Sequence, residues 1–437
     1  MAELMEGGTT ADAGVSEGDR HGQRHLGAAI AVGCLLVVIL FAAVFPHLWY
    51  GLHEFSDAHV GLAAETGIVH GKLPYRDFSF EYPPLALPLM LAPGHAAAAA
   101  SHLGAYERWY AFEMFLITLV TVVAVALTAA LLWRSTGKTW GAVVAFALMV
   151  AAAGALVENR YDIAVALTVA VVVPLCARRA LLAAGVVTGL AFALKLTPVV
   201  LLPLVVIIAA DRRQASRAVL AAAGVAFAAY LPFLVLTPHG VLDSFTYHLR
   251  RPLQLESLPA TPLLVRQLIA GGMSVHFGYG SENLFGPGAK VLATLGGLLT
   301  VAAVLAVCAL LWGCRSTLRE RPEKIPLAVL ALLLASITFG KVFSPQYVLW
   351  LLPAAALVMI DDLVLGLLTL CTVAATQVEF PALYPSLVRL EPAGIAAVAC
   401  RNALLLTTFV VAVRRVDRLR CGAGEAAGGL ARRAVQA

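Results

Sequence analysis

Twelve apolar runs, most of them near the length needed to cross a bilayer, leave this chain few folds to choose from. They lie at 26–45, 107–133, 139–157, 162–177, 180–194, 196–210, 216–236, 288–312, 326–339, 345–360, 363–378 and 394–413. About 20 apolar residues in a helix span a hydrocarbon core of about 30 Å. Within lipid only helices and closed barrels satisfy every backbone polar group. Composition agrees: 60% of the 437 residues are hydrophobic and 13% charged, against about 45–50% and 25% in soluble domains. A soluble enzyme and a disordered scaffold are excluded. So is a nucleic-acid-binding module, because the net charge of +5 is spread thinly. The expected fold is an all-α polytopic membrane protein, a bundle of about twelve transmembrane helices.

The chain divides into a polar tail (1–25), one transmembrane domain (26–413) and a basic tail (414–437). The run 26–45 is too long for the apolar part of a signal peptide and reads as a retained first span. Two long loops interrupt the domain, at 46–106 and 237–287. In the first, the piece 85–100 is broken by Pro88, Pro93 and Gly94. It is expected to lie at the interface as a surface helix. With the N-terminus inside, 19 of the 31 Lys and Arg fall in the short inner segments and tails. That is the positive-inside pattern, so the chain is expected in the cell membrane with both termini cytoplasmic and both long loops outside.

The outer cations are isolated rather than clustered: Arg160, Lys195, Lys341 and Arg401. Several adjoin runs of 15–16 residues, which reach only about 22–24 Å. Their turns should sit below the membrane surface. Charge and irregular backbone at that depth persist only where they line a wet cavity or are buried in protein. The expectation is an outward-facing polar cavity rimmed by positive charge.

The first outer loop carries HEFSDAHVGLAAETGIVHGKLPYRDFSFEYPPL. Asp57 opens an expected helix over 57–70, with Ser56 as a cap. Either the Asp57 carboxylate complements that helix terminus, or it is a general base that takes a proton from an attacking hydroxyl. Arg76, Asp77 and Glu81 read as a solvated ion-pair network or as site groups. The aromatics Tyr75, Phe78, Phe80 and Tyr82 read as an interface belt or as surfaces for stacking sugars, with acids nearby to accept hydroxyls.

In Glu158–Asn159–Arg160–Tyr161–Asp162, Arg160 and Asp162 either pair with one another or meet a ligand. Lys195, alone between two short apolar runs, either snorkels to the surface or is functional. Lys341, Ser344 and Gln346 stand in the turn FGKVFSPQY, where a cation would stabilise a departing phosphate. The loop 237–287 yields no chosen residue. The seven scattered cysteines show no zinc or disulfide spacing. There is no phosphate-binding Gly-rich loop, G-x-S-x-G or HExxH. No metal or cofactor is expected, although Asp57, Asp77, Glu81 and Asp162 leave a divalent ion open.

One span, a loop with an early Asp and PYRDFSFEYPPL, then NRYD, ALKLTPVVLLPL and KVFSPQYVLWLLP follow in order. This ordered set resembles glycosyltransferase family 87, the polyprenyl-phosphate-mannose-dependent mannosyltransferases of the membrane-embedded GT-C class. The resemblance runs from about residue 26 to 360. It implies a GT-C-like bundle with surface helices after the first span, and inverting transfer from a lipid-phosphate sugar. It implies Asp57 as catalytic base. Some members carry a His in the segment matching 340–347, where this chain has Lys341, Ser344 and Gln346.

The resulting expectation is transfer of a sugar, mannose by the resemblance, from a polyprenyl-phosphate donor to a hydroxyl of a cell-envelope glycolipid or glycan. Asp57 is the base. Arg76, Arg160, Lys195 and Lys341 are the phosphate-binding set. Asp77, Glu81, Tyr82, Asp162 and Gln346 are the sugar- or acceptor-binding set. The competing reading is a transporter or lipid flippase without covalent chemistry, for which buried cations would also serve. A non-catalytic scaffold would leave the lone cations without a reason.

Overall fold

A computed structural model describes residues 17–48, 56–96 and 103–436. Each of the twelve apolar runs is helical. Helix α1 (Glu17–Ile39) begins inside the segment expected as a tail and continues through a π turn and a 3-10 turn to His47. The rest of that tail, 1–16, lies outside the described residues. Then come α2 (Ala58–Val69), α3 (Ala86–Ala96), α4 (Leu103–Trp133), α5 (Thr136–Ala153), α6 (Leu156–Asn159), α7 (Asp162–Ala177), α8 (Leu181–Leu194) and α9 (Leu202–Ile207). A 3-10 segment, Thr197–Leu201, leads into α9. After α10 (Arg212–Leu236) the second long loop folds as α11 (Pro238–Arg250), α12 (Thr261–Ala270) and a hairpin of β1 (Ser274–Gly278) and β2 (Ser281–Phe285). In the hairpin, Ser274 pairs with Phe285 and Gly278 with Ser281, antiparallel. The chain closes with α13 (Ala289–Gly313), α14 (Arg315–Glu320), α15 (Ile325–Thr338), α16 (Leu352–Met359), α17 (Leu363–Gln377), α18 (Tyr384–Val388) and α19 (Pro392–Gln436). The expected basic tail, as far as Gln436, prolongs this last helix.

Seven helices among the described residues are long and apolar enough to cross a membrane, among them those over Gly22–His47, Leu103–Trp133 and Pro392–Arg420. The protein is an all-α, multi-pass membrane protein. The piece 85–100 forms the eleven-residue α3 as far as Ala96; its last residues lie outside the described ones.

The helices sort by what they face. α10 and α13 turn Val235 (71% exposed) and Leu305 (64% exposed) outward, as a lipid-facing surface would. α15 and α16 have no such face: Leu330 to Leu334 and Leu352 to Leu357 are buried. Helix α8 packs tightly on α10, because Gly185 and Gly189 present no side chain where a Cβ would meet the backbone of Ala218 and Ala222. Small residues four apart are the membrane solution to close helix approach. Asp211 and Asp362 cap α10 and α17, accepting from Gln214 N at 2.7 Å and Leu365 N at 3.1 Å.

The short elements position the site. The helical runs Asp162–Ala177, Leu181–Leu194, Thr197–Ile207 and Pro345–Met359 are too short to count as full spans. The starts or ends of all four meet at one hollow, where the chain must turn inside the bundle.

Candidate active site

The hollow is a cavity of about 500 Å3. Its first wall is built on Asp57. Glycine 154, at φ 57°, ends α5. One turn of α6 follows, and Arg160 is extended before Tyr161 and α7. This kinked connection docks on the first loop, where Asp57 N donates to Asn159 O at 3.4 Å. The observed α2 starts at Ala58, one residue later than the expected helix. The N-cap position falls on Asp57 rather than on the expected Ser56, whose Oγ accepts from Ala58 N at 3.1 Å. The Asp57 side chain makes no capping bond. Its Oδ1 faces Arg160 Nη1 as an ion pair, with the two side chains 16% and 9% exposed.

Lys195 follows the last residue of α8, in extended backbone. Its Nζ lies 2.9 Å from both carboxylate oxygens of Asp162. Asp162 is wholly buried beneath it and also accepts from Trp350 Nε1 at 2.7 Å. Around the ammonium stand Tyr161, Tyr347, Trp350 and Tyr82, with ring centroids 4.8, 5.7, 5.8 and 5.9 Å away. Aromatic faces attract a cation, and the Asp162 carboxylate balances the charge of Lys195. Of the two readings for Lys195, snorkelling is overturned: the side chain points into this cage, 13% exposed. The alternative pairing of Arg160 with Asp162 is likewise replaced by two separate pairs, because the kink at Arg160 carries the two side chains to different partners.

The aromatic loop is a ladder into this wall. Edge-to-face contacts step from Tyr75 to Phe80 (5.4 Å), Phe80 to Tyr82 (5.7 Å) and Tyr82 to Tyr161 (5.5 Å). Tyr75, at φ 68°, donates from its hydroxyl to Tyr82 O at 2.6 Å. Such contacts fix the loop as packing; of the loop aromatics Tyr75, Phe78, Phe80 and Tyr82, it is Tyr82 that lines the cavity.

The second wall comes from the loop that offered no choice in the sequence. His248, Arg251, Gln254 and Glu256 line the cavity, with Ser281 and Glu282 of the hairpin. His248 Nε2 meets Glu81 O at 3.1 Å, and burial lowers the His248 pKa. Arg251 donates to Ser281 Oγ at 2.9 Å. Gln254 N donates to Lys341 O at 2.9 Å. Gln254 Nε2 donates to Glu256 Oε2 at 2.7 Å. The Glu256 carbonyl is pinned by Arg401 Nη2 at 2.7 Å and Asn402 Nδ2 at 3.3 Å. Arg401 is wholly buried, stacks on Phe343 and pairs with Glu379 at 3.4 Å. Burial, then the neighbouring Glu379 carboxylate, push Glu256 well above the usual carboxylate range. No local sign of Glu256 stood in the sequence, because Arg401 holds its backbone carbonyl and pairs with Glu379.

Of the residues singled out from the sequence, Asp57, Glu81, Tyr82, Arg160, Lys195 and Gln346 line the cavity. Asp162 lies just behind its wall. Arg76 and Asp77 do not reach it. They pair with each other at 2.8 Å beside a separate cleft of about 570 Å3, shared by Glu81 and Tyr247. Arg76 and the Leu73 amide hold Asp77 down to about 2. Lys341 also stands aside, donating to Leu249 O at 2.7 Å. Burial, then Arg251, lower its pKa. Among the described residues no three His, Cys, Asp or Glu side chains form a metal-binding group. Of the four acids considered for one, Asp57, Asp77 and Asp162 each face a different cation, and Glu81 lines the cavity with Asp57.

The family model for glycosyltransferase family 87 matches residues 80–345, well over half of the chain. The chain belongs to glycosyltransferase family 87. It is therefore a membrane glycosyltransferase, and the readings as transporter or scaffold fall away. The matched stretch contains both lone cations, Arg160 and Lys195, and the Glu256 loop; Asp57 and Gln346 lie outside it. A search of curated proteins found no match.

Proposed function

We propose that this family 87 glycosyltransferase moves a sugar, mannose by the family resemblance, from a polyprenyl-phosphate donor to a hydroxyl of a cell-envelope glycolipid or glycan. One observation carries the reading: Asp57 and two deeply placed cations, Arg160 and Lys195, line a single cavity. Arg160 pairs with one oxygen of Asp57, and the other oxygen is the one to accept a proton. The acceptor O–H gives its proton to that oxygen. The acceptor oxygen forms a bond to the anomeric carbon as the bond from that carbon to the phosphate oxygen breaks. The configuration inverts, so a β-linked donor gives an α-linked product. The phosphate leaves on the lipid with one more negative charge, which Arg160 and Lys195 stabilise in a water-poor site. The proton carriers and cations are the protein's own side chains.

The lipid chain of the donor stays in the bilayer while its head enters the cavity. The cavity opens on the extracytoplasmic face, with both termini on the other. Supporting this, Lys138, Lys324 and Arg415 gather at the far end, about 27 Å away along α5. Cysteine introduced at position 59 should react with an impermeant reagent from outside.

Membranes bearing wild type and Asp57→Asn are to be assayed with polyprenyl-phosphate mannose. The variant should insert normally and lose transfer by about 10²–10⁴-fold, the usual worth of a general base. Full activity in a correctly inserted variant would falsify the assignment of Asp57.

A further inference from the structure

The buried polar atoms around the cavity fall into two chemical zones. On the Asp57 wall the unpartnered atom is a donor, Arg160 Nε. On the other wall, beside one such donor, Arg251 Nε, stand three unpartnered acceptors: Gln254 Oε1, Glu256 Oε1 and Gln346 Oε1. Their side chains all line the cavity, and the residues are 1%, 2% and 8% exposed. A buried polar atom without a partner is costly, so a ligand that completes it is favoured. The two zones ask for different ligands. A phosphate carries only acceptors and suits Arg160 and Lys195. Three oxygen acceptors would repel it. They suit a group of several O–H donors on one small frame.

From this zoning we infer that Gln254, Glu256 and Gln346 form a hydroxyl-recognition subsite for a neutral sugar ring, distinct from the cationic phosphate zone of the same cavity. The inference rests on the transferase reading above and names residues that decide which sugar is held.

The subsite is built rather than incidental. Gln254 and Glu256 are locked to one another through Gln254 Nε2. The backbone between them is held from behind by Arg401 and Asn402 on α19. Gln346 enters from the 3-10 segment Pro345–Leu351 before α16. Two separate elements thus bring their oxygens to one cavity. The ring held here is the donor's sugar or the acceptor's, and the kinetic arm below tells them apart.

The test uses the full chain in lipid nanodiscs and two probes. The first is a panel of methyl glycosides of mannose, glucose, galactose and arabinose. The second is polyprenyl phosphate without sugar. Gln254→Leu and Gln346→Leu keep the volume and remove the oxygen. Each should weaken binding of the preferred glycoside about tenfold, as loss of one to two hydrogen bonds would, and leave polyprenyl phosphate binding within twofold. Lys195→Met should do the reverse. In transfer assays the same Leu variants should raise KM for one substrate, donor or acceptor, with kcat nearly kept; which KM moves identifies the ring. Should Gln254→Leu fail to fold, Gln346→Leu carries the test, since its oxygen has no partner to lose. Unchanged glycoside affinity in the folded Leu variants overturns the inference, as does absence of glycoside binding to wild type or equal weakening of both probes. The glycoside arm needs no turnover, so it is separate from the outcome of Asp57→Asn.

Discussion

Acid–base pairs stand at both ends of the helix bundle, and the two sets differ in one respect. At the far end Asp361 bridges Lys138 (2.8 Å) and Lys324 (3.2 Å), and Asp362 holds Arg415 at 2.5 Å. All of these side chains are 21–40% exposed. At the cavity end, Asp57–Arg160, Asp162–Lys195 and Glu379–Arg401 are 0–16% exposed. Exposed pairs contribute about 0–1 kcal/mol and ask little of the fold. Buried pairs lose so much hydration that apolar replacements are often as stable. The far-end pairs tie helix ends together. The cavity-end pairs are poorly explained by stability, and a charge-handling reaction gives them a reason.

The strongest break in this comparison is Asp57→Asn against Asp361→Asn, both read as sugar transfer in membranes. The first should lose about 10²–10⁴-fold and the second should stay near wild type. Equal losses would erase the distinction between the ends. Next in size is Lys195→Met, which strands Asp162 in a buried cage. It should destabilise the protein by about 3–5 kcal/mol, as breaking a buried pair does, and recovery of stability in Lys195→Met with Asp162→Asn would show that the stranded charge was the cause. Thermal unfolding in nanodiscs measures both. No coupling between the two sites would mean that the cage does not hold a charged pair.

pH separates the ends further. Glu256 is raised in the fold, so the folded state binds its proton more tightly than the unfolded state. Its stability contribution is complete below the unfolded value of about 4.3 and declines as pH rises from there toward the folded value. Glu256→Gln should flatten that part of the profile of unfolding temperature against pH, and an unaltered slope would remove Glu256 as its source. Asp361→Ala should then cost about 1 kcal/mol or less. Smallest of all is Asp77→Asn: Asp77 is exposed and outside the cavity, so transfer kinetics should be unchanged. A large loss there would bring the Arg76 cleft into the reaction.

How far the sequence reached can be followed residue by residue. Arg160 and Lys195 stood out because a lone charge beside a short apolar run needs a partner or a cavity, and Asp57 because it opens the helix of the first outer loop and matches the family's early Asp; each lines the cavity. Arg76 and Asp77 stood out for the same chemistry but are adjacent in sequence and satisfy each other, which leaves them outside. Glu256 and Gln254 gave no local signal. Their meaning depends on Arg401, 145 residues later, whose guanidinium holds the Glu256 carbonyl. Trp350 reads as one more apolar residue in VLWLLP until its Nε1 is found on Asp162.

By itself the sequence determined the solvent, the helices and the short runs that leave polar turns inside a bundle, because hydropathy and length act locally and bilayer thickness is a fixed ruler. Only the tertiary structure decided which charges neutralise each other and which oxygens are left wanting donors. Those are questions of a few ångströms between residues far apart in the chain, and burial, not residue type, sets what each contact is worth.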